Sequence, residues 1–212
     1  MSSPASKAAF RTFAWWACGV GIAFFGVYPT LNWLTTQRAS TYGVYMDWEL
    51  AIPFFPEFAW IYLSMYALFP LPPFLLEVSR LHALGKQLIW ATLFCGILFI
   101  LLPARLGYVR VVPDHGLYSG LFDVLFKLDA PHNLAPSLHV VYSAIIIGSI
   151  VDALKSRRLQ AFFIAWLILL CVSTVLVHQH HLIDVLSGLA VAALFRSWIR
   201  VENNNENLEI PA

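Results

Sequence analysis

Charged residues are scarce in this sequence. Only 12% of its 212 residues are Asp, Glu, Lys or Arg, 59% are hydrophobic, and the mean hydropathy is +0.71. A soluble domain carries about 25% charged residues, so we expect an integral membrane protein. The net charge of +1 gives no electrostatic support for nucleic-acid binding, and no such partner is expected.

Cysteine is equally rare, with only Cys18, Cys95 and Cys171 in the chain. Each lies inside an apolar run, which favours small core residues over a disulfide framework. No two cysteines have the Cys-x-x-Cys spacing, so a thiolate metal site is not expected.

Long apolar runs make up most of the chain. A helix needs about 20 mostly apolar residues to cross a membrane. Six segments approach this, and we expect an all-α, six-transmembrane-helix bundle from residues 12–34, 57–78, 87–103, 137–154, 159–177 and 181–199. The bundle forms a single predicted domain over residues 1–200. Residues 201–212 are polar and Asn-rich, which predicts a disordered tail.

Basic residues predict the orientation. With a cytoplasmic N-terminus, nine of the 13 fall on the cytoplasmic side, which favours both termini in the cytoplasm: Lys7, Arg11, Arg80, Lys86, Lys155, Arg157, Arg158, Arg196 and Arg200. Lys7 and Arg11 also resemble the start of a signal peptide, but the length of the following run favours an uncleaved first span. Within the polar connection 104–136, residues 117–128 predict an amphipathic helix on the membrane.

His180 and Asp184 form the first candidate site. They are four residues apart and share one face of a helix. A carboxylate that accepts from one imidazole nitrogen fixes the tautomer and leaves the other nitrogen free to attack. A purely structural histidine–aspartate pair is the alternative. Metal binding with His178 and His181 is less favoured, because no His-x-x-x-His pair occurs among these histidines.

A second polar cluster opens the fourth predicted span. Pro136 and Ser137 have the pattern of a helix start, where free N–H groups suit a phosphate. His139 lies on that first turn, where it can donate a proton to a leaving oxygen. Ser137 acting only as a helix cap is the alternative. Under the predicted topology this cluster and His180 lie on the same, outer side.

Two arginines complete the candidate site. Arg105 and Arg110 lie in the connection before the second cluster, and guanidinium groups match phosphate oxygens. Contact with lipid headgroups at the membrane surface is the alternative use.

Together these residues resemble the type 2 phosphatidic acid phosphatase (PAP2) superfamily, whose motifs are Lys-x6-Arg-Pro, Pro-Ser-x-His and Ser-Arg-x5-His-x3-Asp. The second motif matches residues 136–139. The third matches Ser173, His180 and Asp184 in spacing. The resemblance implies that His180 takes the phosphoryl group, Asp184 orients it, and His139 protonates the leaving group. Ser137, Ser173, Arg105 and Arg110 would then hold phosphate oxygens, with no metal or other cofactor.

The sequence departs from these motifs at two places. Thr174 stands where the third motif has Arg, and the first motif is degenerate, with Pro103 at its Lys and Val111 at its Pro. With these departures the sequence resembles the branch of the superfamily that contains the inositol phosphorylceramide and sphingomyelin synthases.

The resemblance predicts a lipid phosphatase that acts on a phospholipid or isoprenoid-lipid phosphate through a phosphohistidine. A lipid phosphotransferase and a catalytically silent membrane protein are the alternatives. We expect a multi-pass protein of a bacterial inner membrane whose active site faces the periplasm.

Overall fold

The apolar runs of the sequence become helices. A computed structural model describes residues 7–114, 116–128 and 131–201. This part of the chain contains only isolated β-bridges and no β-strand, which confirms the all-α prediction. Its α-helices are α1 Lys7–Thr36, α2 Ala59–Leu63, α3 Pro72–Leu75, α4 Val78–Leu101, α5 Leu117–Leu128, α6 Leu138–Ala153, α7 Arg157–Leu176 and α8 Leu182–Trp198. The predicted tail lies outside the described residues from residue 202 onward.

Three of the helices, α1, α4 and α7, are long and apolar enough to cross a membrane. The α6 helix is apolar but shorter, at 16 residues. Large apolar side chains on the outer surface of α1 are exposed, including Ile22 and Phe25 at 70% each. Exposed apolar surface on this scale suits contact with lipid and not with water.

The predicted span over residues 57–78 is not one helix, which corrects that prediction. A 3-10 turn at Pro56–Phe58 is followed by α2, a second 3-10 turn at Ser64–Ala67, and α3. Prolines at 70, 72 and 73 explain the break, because proline lacks an N–H donor and clashes with the preceding turn. The segment still runs from one end of the bundle to the other, since Tyr62 stacks on His139 and Phe74 contacts Phe10.

The α4 helix begins at Val78, well before the predicted start at 87. Hydropathy marks the apolar part of a helix, whereas the first turns of α4 carry Arg80, His82 and Lys86. A helix continues through such residues because none of them interrupts the backbone hydrogen bonds.

The α6 helix is the centre of the bundle. It packs against α4, α7 and α8, and its isoleucines at 145, 146, 147 and 150 are almost completely buried. Gly188 of α8 faces the first turn of α6, where an added Cβ would lie 3.0 Å from the carbonyl oxygen of Ser137. This close approach brings the starts of α6 and α8 together, and both candidate histidines lie there.

Candidate active site

The connection between α7 and α8 is folded tightly around one carbonyl group. The oxygen of Thr174 accepts from the N–H of Gln179 at 3.0 Å and from the N–H of His180 at 3.1 Å. His178 lies in the left-handed region, with φ of 54°. This reversal places His180 immediately before α8.

His180 and Asp184 meet as their spacing predicts. The Nδ1 of His180 lies 3.4 Å from Oδ2 of Asp184, and the same oxygen accepts from the N–H of His181 at 2.8 Å. Both side chains are buried, at 6% and 1% exposure. With Nδ1 turned toward the carboxylate, Nε2 of His180 is the nitrogen left for attack. The 3.4 Å contact is long for a hydrogen bond, as is common before a substrate binds.

His139 lies on the first turn of α6. Its Nε2 donates to the carbonyl oxygen of Tyr62 at 3.0 Å, and the two rings stack with centroids 4.0 Å apart. The Nδ1 atom is therefore the one available for proton transfer. The N–H of Ser137 donates to the carbonyl oxygen of Asp184 at 3.0 Å, which ties the two polar clusters together.

A cavity of about 640 Å³ joins the two histidines to an apolar space. His139, His180 and Asn133 line one end. Phe13 and Trp16 of α1 lie among the residues that line the rest. The cavity therefore combines a small polar end with a long apolar body, which is the shape and polarity of a lipid with a polar headgroup.

Asn133 is a polar group of this cavity that sequence reasoning missed. It is 1% exposed, and its Oδ1 accepts from the hydroxyl of Thr35 at 2.9 Å. Its Nδ2 is buried with no hydrogen-bond partner within the described ranges. A buried donor without a partner is costly, which makes it a candidate ligand contact. Its positive φ of 56° favours asparagine, and that was the available sequence signal.

The side chains of the two serines form hydrogen bonds with backbone groups in this structure. Ser137 is fully buried and caps α6, because its Oγ accepts from the N–H of Val140 at 3.3 Å. Ser173 is also fully buried, and its hydroxyl donates to the carbonyl oxygen of Leu170 at 2.7 Å. The cap expected for Ser137 is present, and phosphate contact by either serine stays a prediction.

The two arginines lie on the loop that follows α4. Arg105 is exposed, and its backbone pairs with His132 in an isolated bridge. The guanidinium of Arg110 lies 4.9 Å from the centre of the Phe126 ring on α5. Neither arginine is among the residues that line the cavity with His139 and His180, and their contact with phosphate oxygens stays a prediction.

Between these arginines, Tyr108 packs directly onto the histidine connection. Its ring stacks on His178 at 3.9 Å and on His181 at 4.4 Å, and Tyr45 stacks on the other face of His181 at 4.4 Å. Burial, and after it the charges of Glu49 and Asp184, raise the pKa of Tyr108 to about 12. Tyr108 is therefore neutral at physiological pH and acts as a rigid aromatic support.

Glu49 is the charged residue that sequence reasoning missed. It is 0% exposed, and its Oε1 accepts from the N–H of Met46 at 2.9 Å. Its Oε2 accepts from the N–H of Leu182 at 2.8 Å and lies 3.5 Å from Nδ1 of His181. Glu49 thus anchors the start of α8 to a distant segment. No periodic pattern predicts this contact, because Glu49 lies in a 3-10 turn 133 residues before Leu182.

Thr174, at the position of the missing motif arginine, is fully buried. Its hydroxyl donates to the carbonyl oxygen of Cys171 at 2.8 Å, within α7. Burying an unpaired guanidinium there would be costly. Threonine therefore suits the packing at this position. The contact of residue 174 with the site is its backbone carbonyl oxygen, which accepts from the N–H of His180.

The family model of the PAP2 superfamily matches residues 31–198 of the chain. No curated protein and no solved structure matches the chain. The matched range includes His139, His180 and Asp184, and also the segment that holds Glu49.

Proposed function

The chain belongs to the PAP2 superfamily, and from that premise we propose that it is a membrane lipid phosphatase acting through a phosphohistidine. The observation that carries this proposal is the cavity in which His139 and His180 share one end while apolar side chains line the remainder. A phosphorylated lipid fits such a cavity with its phosphate between the histidines and its tail among the aromatic rings.

The proposed reaction has two steps. Nε2 of His180 attacks phosphorus, the bond from phosphorus to the lipid oxygen breaks, and His139, which enters this step protonated on both ring nitrogens, gives that oxygen the proton on Nδ1. Water then attacks the phosphohistidine, His139 takes a proton from it, and phosphate leaves as the bond to Nε2 breaks. Asp184 orients His180 and stabilises its positive charge. Arg105, Arg110, Ser137 and Ser173 complete the predicted phosphate contacts.

The length of the cavity supports the proposal of a long-chain substrate. Along α1 its lining extends from Phe13 to Pro29, which is about 24 Å at 1.5 Å per residue. Half of the hydrocarbon core of a bilayer is about 15 Å thick. A long, extended acyl or isoprenoid tail buries more apolar surface in this cavity than a short tail does.

We propose six crossings of the membrane, with the broken segment that contains α2 and α3 as the second. Irregular backbone is tolerated at membrane depth where it lines a cavity, and Tyr62, Met65 and Phe69 of this segment do so. Both termini are then cytoplasmic, as the basic residues predict. The active site accordingly faces the periplasm of a bacterial inner membrane.

The function is tested with full-length protein in neutral detergent and excess chelator. We expect phosphate release from long-chain lipid phosphates, with kcat/KM at least about tenfold above that of a four-carbon alkyl phosphate. If radiolabelled headgroup moves to a lipid alcohol faster than phosphate is released, the protein is a phosphotransferase instead. If neither reaction is observed, the protein is catalytically silent. Loss of activity on chelation would contradict the metal-free mechanism.

Asn133 provides a second test, because its unpartnered Nδ2 is proposed to donate to the substrate phosphate. Asn133→Asp keeps the shape, tolerates positive φ and replaces the donor by a carboxylate oxygen. We expect kcat/KM to fall by about 100-fold, and Tm to fall as well because the new carboxylate is buried, so unfolding is measured on the same samples. Thr35→Val removes only the hydroxyl that contacts Oδ1 of Asn133, and we expect less than about fivefold loss from it. Equal activity of Asn133→Asp and wild type would remove Asn133 from the site.

A further inference from the structure

A second pocket lies at the end of the bundle away from the two histidines. It has a volume of about 210 Å³ and lies where α4 begins and where α6 and α8 end. Along α6, Asp152 at this pocket is about 21 Å from Leu138 at the catalytic end, at 1.5 Å per residue. In a membrane the two sites therefore lie near opposite surfaces. We call this the arginine pocket, after Arg80, Arg196 and Arg200 in its lining.

The arginine pocket carries an excess of positive charge. Among the described residues that line it, Asp152 is the one carboxylate, and it pairs with Arg196 at 2.7 Å. Among the described residues Arg80 and Arg200 form no ion pair, and the Nε of Arg200 donates only to the carbonyl oxygen of Ser197 at 3.2 Å. Two guanidinium groups, one from the first turn of α4 and one from the segment just after α8, therefore remain for an anion. Guanidinium is the side chain best matched to a phosphate group.

Gln87 points to a ligand independently of these charges. It is only 5% exposed and lines the arginine pocket. Its Nε2 donates to the carbonyl oxygen of Ile199 at 2.7 Å, which fixes the amide, while its Oε1 is buried with no partner in the described part of the chain. An acceptor left unsatisfied beside two arginines calls for a ligand that carries both an anion and a hydrogen-bond donor.

The third arginine is held in place by the packing. The guanidinium of Arg196 lies against Gly148, where an added Cβ would collide with it. The absence of a side chain at residue 148 thus makes room for the ion pair between Arg196 and Asp152, which forms one wall of the arginine pocket. At about 210 Å³, the pocket has room for a compact polar group.

We propose that the arginine pocket binds the phosphate of an anionic phospholipid from the leaflet opposite the active site, with a headgroup hydroxyl or ammonium donating to Oε1 of Gln87. Arg80 and Arg200 neutralise the phosphate, and the donor requirement disfavours choline, whose nitrogen carries no hydrogen. Free phosphate shares the anionic chemistry but lacks the lipid tails, so the two sources can be separated. This site is independent of the proposed lipid phosphatase activity.

The test measures the thermal unfolding of the delipidated full chain in neutral detergent, with dioctanoyl phosphatidylglycerol, dioctanoyl phosphatidylcholine or inorganic phosphate added. We expect phosphatidylglycerol to raise Tm by about 3 °C in a saturable manner, and phosphatidylcholine to raise it by less than a third of that. The variant Arg80→Gln/Arg200→Gln should lose this rise. The matched control is Lys155→Gln/Arg158→Gln, which removes two exposed charges at the same end of the bundle and should keep it.

Each outcome decides the proposal. An equal rise in wild type and in Arg80→Gln/Arg200→Gln would place the lipid elsewhere, for example in the catalytic cavity, and would overturn it. An equal loss in the control variant would indicate diffuse attraction between charges and not a site. A rise with inorganic phosphate as large as that with phosphatidylglycerol would assign the pocket to a free anion instead of a lipid. No rise with any ligand would also overturn the proposal.

Discussion

His180→Ala is expected to lower the rate of phosphate release by at least about 1,000-fold, which corresponds to about 4 kcal/mol in the activation barrier. The physical reason is that in the proposed mechanism Nε2 of His180 forms the bond to phosphorus, and alanine offers no nucleophile. The rate is measured with a long-chain lipid phosphate in detergent. Thermal unfolding of the same samples shows whether the variant is folded, and we expect only a small change in Tm.

The matched control is His82→Ala. His82 is a histidine of α4 near the other end of the bundle, where its Nδ1 accepts from the indole N–H of Trp16 at 2.9 Å. We expect its loss to change the rate by less than about threefold. An acid-labile phosphoryl group should be trapped on wild type and on His82→Ala, but not on His180→Ala. Retained activity or retained label in His180→Ala would refute the mechanism.

The nature of the leaving group separates the two histidines. In His139→Ala the loss should be large for a lipid alcohol and much smaller for an acidic phenol, because a phenolate leaves without a proton. In His180→Ala both substrates should be affected equally, since the nucleophile is needed for each. A loss in His139→Ala that does not depend on the leaving group would indicate a structural role for His139.

Local spacing predicted the parts of the site that are local in the chain. His180 and Asp184 are one helical turn apart, and Ser137 and His139 lie at the start of another helix. Helical periodicity and capping rules were therefore sufficient to place each pair. The pairing of the two clusters was also expected from topology. The structure shows what holds the two clusters together. The N–H of Ser137 donates to the carbonyl oxygen of Asp184, and the absence of a side chain at Gly188 lets α8 approach α6 closely.

Hydropathy could not predict the course of the broken segment. Residues 57–78 are apolar enough for a span, but prolines at 70, 72 and 73 divide them into short turns that line the cavity. Hydropathy sums transfer free energies and does not register missing backbone donors. The carbonyl oxygen of Tyr62 fixes the tautomer of His139. Hydropathy predicted only a membrane span at this residue and gave no indication of that contact.

Contacts made by irregular segments were the least predictable. Glu49 and Leu182 are 133 residues apart, and Tyr108 reaches His178 and His181 from a loop with no periodic pattern. Such contacts depend on the final packing of the whole bundle. In this chain they surround His180 and Asp184, so the sequence pattern predicted these two residues but not the side chains that support them.

Glu49 is the strongest case of such support, and its removal has the second-largest expected effect. Its carboxylate accepts from the backbone N–H groups of Met46 and Leu182, and it faces Nδ1 of His181 at 3.5 Å. Glu49→Ala removes the partner of these part-buried donors and of His181, at about 1–3 kcal/mol for each group. We expect the free energy of unfolding to fall by about 3–5 kcal/mol, measured by denaturant titration in detergent.

The milder variant Glu49→Gln separates positioning from folding. Glutamine has the same shape, but one oxygen becomes an NH₂ group that must face a backbone donor or His181. Because Leu182 and His181 adjoin His180 and the first turn of α8, a shift there misaligns the nucleophile. We expect kcat to fall by about tenfold or more while KM changes by less than about threefold, since Glu49 does not line the substrate cavity.

The control for both variants is Glu57→Ala. Glu57 lies in the next 3-10 turn, is exposed, and is the same residue type at nearly the same position in the chain. Its removal should change stability by less than about 0.5 kcal/mol and leave kcat unchanged. Glu49→Asp, which keeps the charge on a shorter side chain, should recover part of the kcat lost in Glu49→Gln. If Glu49→Gln matches wild type in kcat and in unfolding, Glu49 has no role in positioning His180, and the anchor at the start of α8 is dispensable.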